Sequence, residues 1–206
     1  ASPARVALWP LGVDGERFHP APGSSDAPAL DGRPALLHVA SLVPVKDQAL
    51  LLEAFAGVRA RAREARLHVV GDGPLRGALE ARVARLGLTG VVRFHGSLPH
   101  DALPRIYRQA HVLVQSSRFE SQGLVTLEAA ASGCPALGTA VGVLPELFPA
   151  WTAAPGDATA LKALLERALA KRPAPPSAEQ LSPYGLPACV AGALALYREL
   201  SATERG

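Results

Sequence analysis

Two carboxylates, Glu120 and Glu128, are separated by seven residues in the stretch FESQGLVTLEAAASGCP, Phe119 to Pro135. Gly123 lies between them and an apolar run begins at Leu124. A helix starting there leaves Glu120 in the preceding loop and puts Glu128 one turn inside. Both acids then border a helix N-terminus. That end carries unpaired backbone N–H groups and about half a positive charge, so it suits an anion such as a phosphate. The chemistry these positions offer is a phosphate on the helix end, with carboxylates gripping hydroxyl groups on either side. Two glutamates at this spacing also occur as the solvated face of an amphipathic helix, and the pattern alone leaves both readings open.

The elements around this stretch alternate strand and helix. PALLHVASLVPVKDQALLLEAFAGV reads as a buried strand over residues 35–40, a turn, and a helix capped by Asp47 with Leu50, Leu51, Ala54, Phe55 and Val58 as its apolar stripe. RLHVVGDGPLRGALEARVARLGL repeats strand, glycine turn and helix, and VVRFHG, HVLVQSS and CPALGTA read as further strands. SLPHDALPRIYRQA, VGVLPELF and ATALKALLERALAKR supply a short helix, a loop with a short helix, and a longer helix. Residues 172–187, rich in Pro and Ser, are expected as a loop before a last helix from about Ala188 to Leu200. This order predicts an α/β fold: a mostly parallel sheet with helices on both faces and ligands at the carboxyl ends of its strands. Gly71, Gly96, Gly123 and Gly142 are placed on or near that rim.

Composition narrows the function classes. At 206 residues the chain is long enough for one well-buried domain, and no apolar run approaches the roughly 18 residues that span a bilayer. The net charge of +3 comes from scattered basic residues, which argues against a nucleic-acid surface. Cys134 and Cys189 form no disulfide framework and no metal-ligand spacing, so a reducing, cytoplasmic setting without a metal is expected. The glycines of GDGPLRG have the wrong spacing for a dinucleotide fingerprint, so no nicotinamide cofactor is expected. Methionine is absent even at position 1, which suggests a piece of a longer protein.

SRFESQGLVTLEAAASGCP resembles the Glu, seven residues, Glu motif of the retaining glycosyltransferases of group 1, whose pattern is a serine, two residues, EGFGL, four or five residues, EAMASG and a proline. PLGVDGERFHP resembles the family's PNGVD signature, with Leu11 for the asparagine. That signature marks the crossover into the second, donor-binding half of the two-domain GT-B fold. ASLVPVKD resembles GRLVPEKG, with Lys46 matching the lysine, Ser41 standing where the arginine belongs and Asp47 replacing the glycine. FHGSLP matches the FxGxV loop, which in relatives lies close to the base. VGVLPE stands for GGxPE with Val143 for the second glycine, and Ser121, Gln122 and Gly123 replace the GFG run.

The resemblance implies a Rossmann-like half of a GT-B fold: residues 1–206 as one nucleotide-sugar-binding domain, 1–22 as interdomain crossover and 188–206 as the C-terminal helix. It also implies an N-terminal acceptor domain that would lie outside this chain. It implies transfer of a hexose from a nucleoside diphosphate sugar to an acceptor hydroxyl with retention and without metal or bound cofactor. It gives Lys46 the donor diphosphate, Glu120 the sugar hydroxyls and Glu128 the ribose diol. Leu124 and Val125 offer their N–H groups to the diphosphate, while Ser41, Gly71, Gly96, Ser121, Gln122 and Gly123 line the donor site. Any membrane contact, and the acceptor, would belong to the missing half, and the chain alone is expected to bind donor and transfer little. A non-catalytic nucleotide-binding module, suggested by Ser41, Gln122 and Val143, is the alternative. A nucleotide-sugar epimerase of the same two-domain fold is a third reading that the intact Glu120 to Pro135 motif disfavours.

Overall fold

The structure, a computed structural model, describes residues 9–20 and 27–203. Residues 1–8 and 21–22 of the expected crossover segment lie outside them. The elements follow in chain order: β1 (Ala35–Val39), α1 (Gln48–Val58), β2 (Arg66–Val70), α2 (Arg76–Arg85), β3 (Val92–Gly96), α3 (Leu103–Gln109) and β4 (Val112–Gln115). They continue with α4 (Leu124–Ala131), β5 (Ala136–Thr139), α5 (Leu144–Leu147), β6 (Thr152–Ala153), α6 (Ala158–Ala170), α7 (Ala178–Leu181) and α8 (Leu186–Thr203).

The six strands form one sheet in the order β3-β2-β1-β4-β5-β6, and every pairing is parallel. Parallel strands require crossovers, and the helices that supply them cover both faces. All five residues of β1 are buried. Leu36 joins Leu67, Val69 and Val114 beneath α1, α2 and α6, whereas Leu37 and Val39 join Val70 and Leu113 beneath α3, α4 and α5. Both faces of a doubly covered strand are buried, which explains the nearly continuous apolar run ALLHV, interrupted only by His38.

Strand order reverses between β1 and β4, so the loops leaving their carboxyl ends diverge and open a crevice. Those loops carry the two sequence stretches with chemistry in them, 40–47 and 116–123. Asp47 caps α1 as expected, accepting from Leu50 N at 3.3 Å, from a left-handed backbone conformation with φ of 44°.

Residues 172–187 differ from the expected loop. Ser177 begins α7 with a reciprocal capping pair, its side chain accepting from Gln180 N while Gln180 accepts from Ser177 N. A 3₁₀ turn over Ser182–Tyr184 follows, and α8 starts at Leu186, two residues early. The pattern Ser-x-x-Gln is a capping-box signature that the surrounding prolines obscured. The crossover segment docks here, with Val13 N donating to Tyr184 O at 2.8 Å and Leu186 N to Val13 O at 3.0 Å.

Candidate donor site at the sheet switch point

Lys46 closes a 3₁₀ turn over Pro44–Lys46 directly after β1, while Glu120 sits in the loop between β4 and α4. The fold brings them together across the switch point: Lys46 Nζ donates to Glu120 Oε1 at 2.7 Å, with side chains 24% and 12% exposed. Ser117 Oγ donates to the same oxygen at 2.6 Å, and Ser116 Oγ donates to Lys46 O at 2.8 Å. The lysine and the acid are thus each held by a serine at the end of β4. Partly dehydrated ion pairs of this kind are strengthened by added hydrogen bonds.

A second tier fixes these loops from below. His38 on β1 is buried; its Nδ1 donates to Val114 O at 2.9 Å and its Nε2 accepts from Gln48 Nε2 at 3.3 Å. Burial pulls its pKa below the ordinary 6.5, so the ring is held neutral. Gln48 also donates to Ser41 O at 2.9 Å, which anchors the backbone of the loop while the Ser41 side chain faces solvent. Gln115 accepts from Thr126 Oγ1 at 3.0 Å and donates to Val141 O at 3.1 Å, joining β4, α4 and the loop after β5.

Gly123 initiates α4 with φ of 79°, a conformation that favours glycine, and no side chain caps it. The first turn of α4 therefore opens towards the crevice beside Lys46 and Glu120. Ser41, Ser121, Gln122, Gly123, Leu124 and Val125 line the same cavity of about 290 Å³, together with Leu11 of the crossover segment. Most of the predicted positions converge.

Three do not share that cavity. Glu128 lies a turn further along α4, where its Oε2 accepts from the buried Tyr107 hydroxyl at 2.8 Å and its Oε1 from His100 Nε2 at 3.1 Å. Arg17 donates to His100 Nδ1 at 2.7 Å, which fixes the Nε2–H tautomer that Glu128 requires. Burial and then the Glu128 charge raise the Tyr107 pKa well above its ordinary value, so the phenol keeps its proton and donates. Each carboxylate oxygen retains a further lone pair for a hydroxyl. Gly71 and Gly96 are on the rim, bonded to each other through Gly71 N and Gly96 O at 2.8 Å, but they do not line the cavity. Gly71 instead permits close packing, since a Cβ there would lie 2.0 Å from Ala40 O.

Sequence reasoning passed over Ser117, Gln48, Tyr107, His100 and Arg17. Only Ser117, the serine of the motif itself, carried a signal that could have marked it; the others belong to ordinary helix and turn patterns.

A Rossmann-like sheet, with a cationic and an anionic side chain meeting a helix N-terminus at its reversal point, is an arrangement whose chemistry suits an anionic, hydroxyl-bearing ligand. Residues 24–186 match the family model of glycosyl transferases group 1, and the chain belongs to that family. A D-inositol 3-phosphate glycosyltransferase of Streptomyces scabiei is 38% identical over 158 residues, covering 70% of this chain and 35% of that protein. The chain thus spans about a third of that relative's length. The fold is shared with a structure of Anabaena HepE in complex with UDP-glucose, at a TM-score of 0.73 and 20% identity over 89% of this chain and 56% of that one. It is also shared with the C-terminal domain of a group 1 family glycosyl transferase from Francisella tularensis, at a TM-score of 0.67 and 21% identity over 85% and 92% of the two chains.

Among the described residues no group of three or more His, Cys, Asp or Glu side chains is placed to hold a metal, and no helix is long and apolar enough to cross a membrane.

Proposed function

We propose that this chain is the donor-binding half of a retaining hexosyltransferase, taking a nucleoside diphosphate sugar and using no metal. The observation that carries the reading is the Lys46–Glu120 pair at 2.7 Å beside the open first turn of α4. The diphosphate occupies the N–H groups of Leu124 and Val125 with the Lys46 ammonium against it, an arrangement that stabilises charge on the departing phosphate. Glu120 accepts from hydroxyls of the sugar, and Glu128, steadied by Tyr107 and His100, accepts from the ribose diol. Reaction then depends on positioning and on stabilising the leaving group, with the acceptor hydroxyl delivered by the N-terminal half. The relatives support the donor class: one structural relative holds UDP-glucose, and another is itself the C-terminal domain of a family member.

Calorimetric titration of the chain with UDP, GDP and ADP, bare and carrying a hexose, in EDTA tests this. One nucleotide is expected to bind, more tightly with its hexose, and to reveal the base. Absence of binding by all six refutes a donor site formed by this chain.

A further inference from the structure

Gln122 occupies the position between Glu120 and the cap Gly123 where the family pattern has an aromatic residue, and its side chain turns away from α4 to the crossover segment. Leu11 N donates to Gln122 Oε1 at 2.6 Å and Gln122 Nε2 donates to Leu11 O at 2.7 Å. This reciprocal pair reproduces, with a side chain, the hydrogen bonding a neighbouring strand would give, and it joins positions 111 residues apart. From the opposite side Val143 N donates to Gln122 O at 2.7 Å, and Gly142, with φ of 60°, leaves room where a Cβ would lie 2.4 Å from that carbonyl. The residue next to Glu120 is therefore held through both its backbone and its amide.

The pairing also shapes the cavity. Leu11, 59% exposed between Trp9 and Val13, which are bonded to Cys189 O and Tyr184 O, becomes a wall of the 290 Å³ cavity that contains Lys46 and Glu120. A neighbouring cavity of about 390 Å³, walled by Trp9, Glu146 and Tyr184, shares Ser121 and Gln122 with it. The Gln122–Leu11 pair stands between the two. The contact uses only the Leu11 backbone, so Gln122 is the residue whose type decides it.

The geometry points to Gln122 as a positioning residue for the sugar end of the donor: it latches the crossover segment across the cavity and fixes the loop that aims Glu120. The inference rests on the donor reading above. Gln122 acts here through Leu11 and the Glu120 loop and need not touch the sugar. Bare nucleoside diphosphate, held by Lys46 and the start of α4, is indifferent to the latch. A hexose that must fit between Glu120 and the Leu11 wall is not.

Two measurements on the 206-residue chain and its Gln122→Leu and Gln122→Glu variants test this. In amide hydrogen exchange by NMR, Leu11 is expected to lose its protection in Gln122→Leu. Val13, bonded to Tyr184 O at 2.8 Å, should keep its own and so report that the segment is still docked. In calorimetry with UDP, GDP, ADP, UDP-glucose, GDP-mannose and ADP-glucose, Gln122→Leu should weaken the hexosylated ligand roughly tenfold, as for two ordinary hydrogen bonds lost, with the bare nucleotide unchanged. Gln122→Glu keeps the acceptor for Leu11 N–H and loses the donor, so it should fall between. Unchanged Leu11 exchange in Gln122→Leu overturns the latch. Lost protection with unchanged hexose preference overturns the positioning role. A wild-type chain that binds none of the six ligands refutes the donor reading and the positioning role with it, leaving exchange at Leu11 to decide the contact alone.

Discussion

Replacing Glu120 by glutamine separates two roles of the carboxylate, gripping the sugar and competing with the diphosphate for Lys46. The pair is 2.7 Å long, and the two side chains are 24% and 12% exposed. The substituted amide would keep the shape and an oxygen for Ser117 Oγ, but the charge that holds Lys46 would be gone. Hydrogen bonds to charged groups contribute about 1.5–3 kcal/mol, and partial exposure of the lysine brings this pair to about 1–1.5 kcal/mol. An ammonium released from Glu120 offers that interaction to a diphosphate. Bare nucleoside diphosphate should therefore bind about five- to tenfold tighter to Glu120→Gln than to the wild type. The hexosylated donor gains at the diphosphate and loses a charged acceptor at the sugar, so the two changes roughly offset. The signature is the ratio of the two dissociation constants, which should rise about tenfold against the sugar. Calorimetry with the matched pair of ligands reads this directly, with Lys46→Ala as the reference for losing the cation. If Glu120→Gln weakens the bare nucleotide as much as Lys46→Ala does, the carboxylate organises the lysine instead of competing for it, and this reasoning fails.

Ser41→Arg should tighten bare nucleoside diphosphate by roughly tenfold or more, because a guanidinium on this exposed loop can bind phosphate through two hydrogen bonds; an unchanged dissociation constant places residue 41 away from the phosphates. Tyr107→Phe removes the hydroxyl that donates to Glu128 at 2.8 Å, and should cost about 1.5–3 kcal/mol of stability and weaken bare and hexosylated nucleotide alike, read by thermal melting and calorimetry. Burial holds His38 and His68 below their ordinary pKa of 6.5, so the unfolded chain takes up protons that the folded chain refuses. Stability from these groups is fully present above pH 6.5 and falls as pH drops below it, by up to about 1.4 kcal/mol per pH unit per histidine. Denaturant melts between pH 5 and 8 should show that slope, and His38→Asn should make it shallower.

The sheet was legible because a doubly covered parallel strand is almost wholly apolar, and ALLHV, LHVV and VLV follow that pattern apart from the buried His38 and His68. Glu120, Lys46 and Gly123 were legible because their motif fixes type and spacing within single loops. What stayed hidden is chemistry assembled across the chain. Tyr107 and His100 reach Glu128 from a helix and turn whose own patterns explain them fully as core and surface residues. β6, two residues long, leaves too little periodicity to be seen. Gly71 and Gly96 were placed on the rim by their turns, yet a turn glycine serves close backbone packing as readily as ligand approach, and at Gly71 the Ala40 carbonyl takes the space.

The departures from the family pattern bear on whether this site is functional or degenerate, and the structure separates them by what surrounds each. Asp47, in place of glycine, adopts the left-handed conformation that Asp tolerates, caps α1, and faces Arg118 Nε at 2.8 Å, so the exchange brings interactions that glycine lacks. Val143, in place of the second glycine, has φ of −78° and buries its side chain, so no glycine is required there. Gln122, in place of the aromatic residue, pairs its amide with the backbone N–H and C=O of Leu11, a contact that does not depend on the Leu11 side chain. The contacts made by Asp47, Gln122 and Val143 around the Lys46–Glu120–Ser117 cluster are compatible with the donor site proposed above. At Ser41 the backbone carbonyl accepts from the buried Gln48 and no guanidinium among the described residues lines the cavity, so in the proposed donor site the diphosphate would depend chiefly on Lys46 and the start of α4.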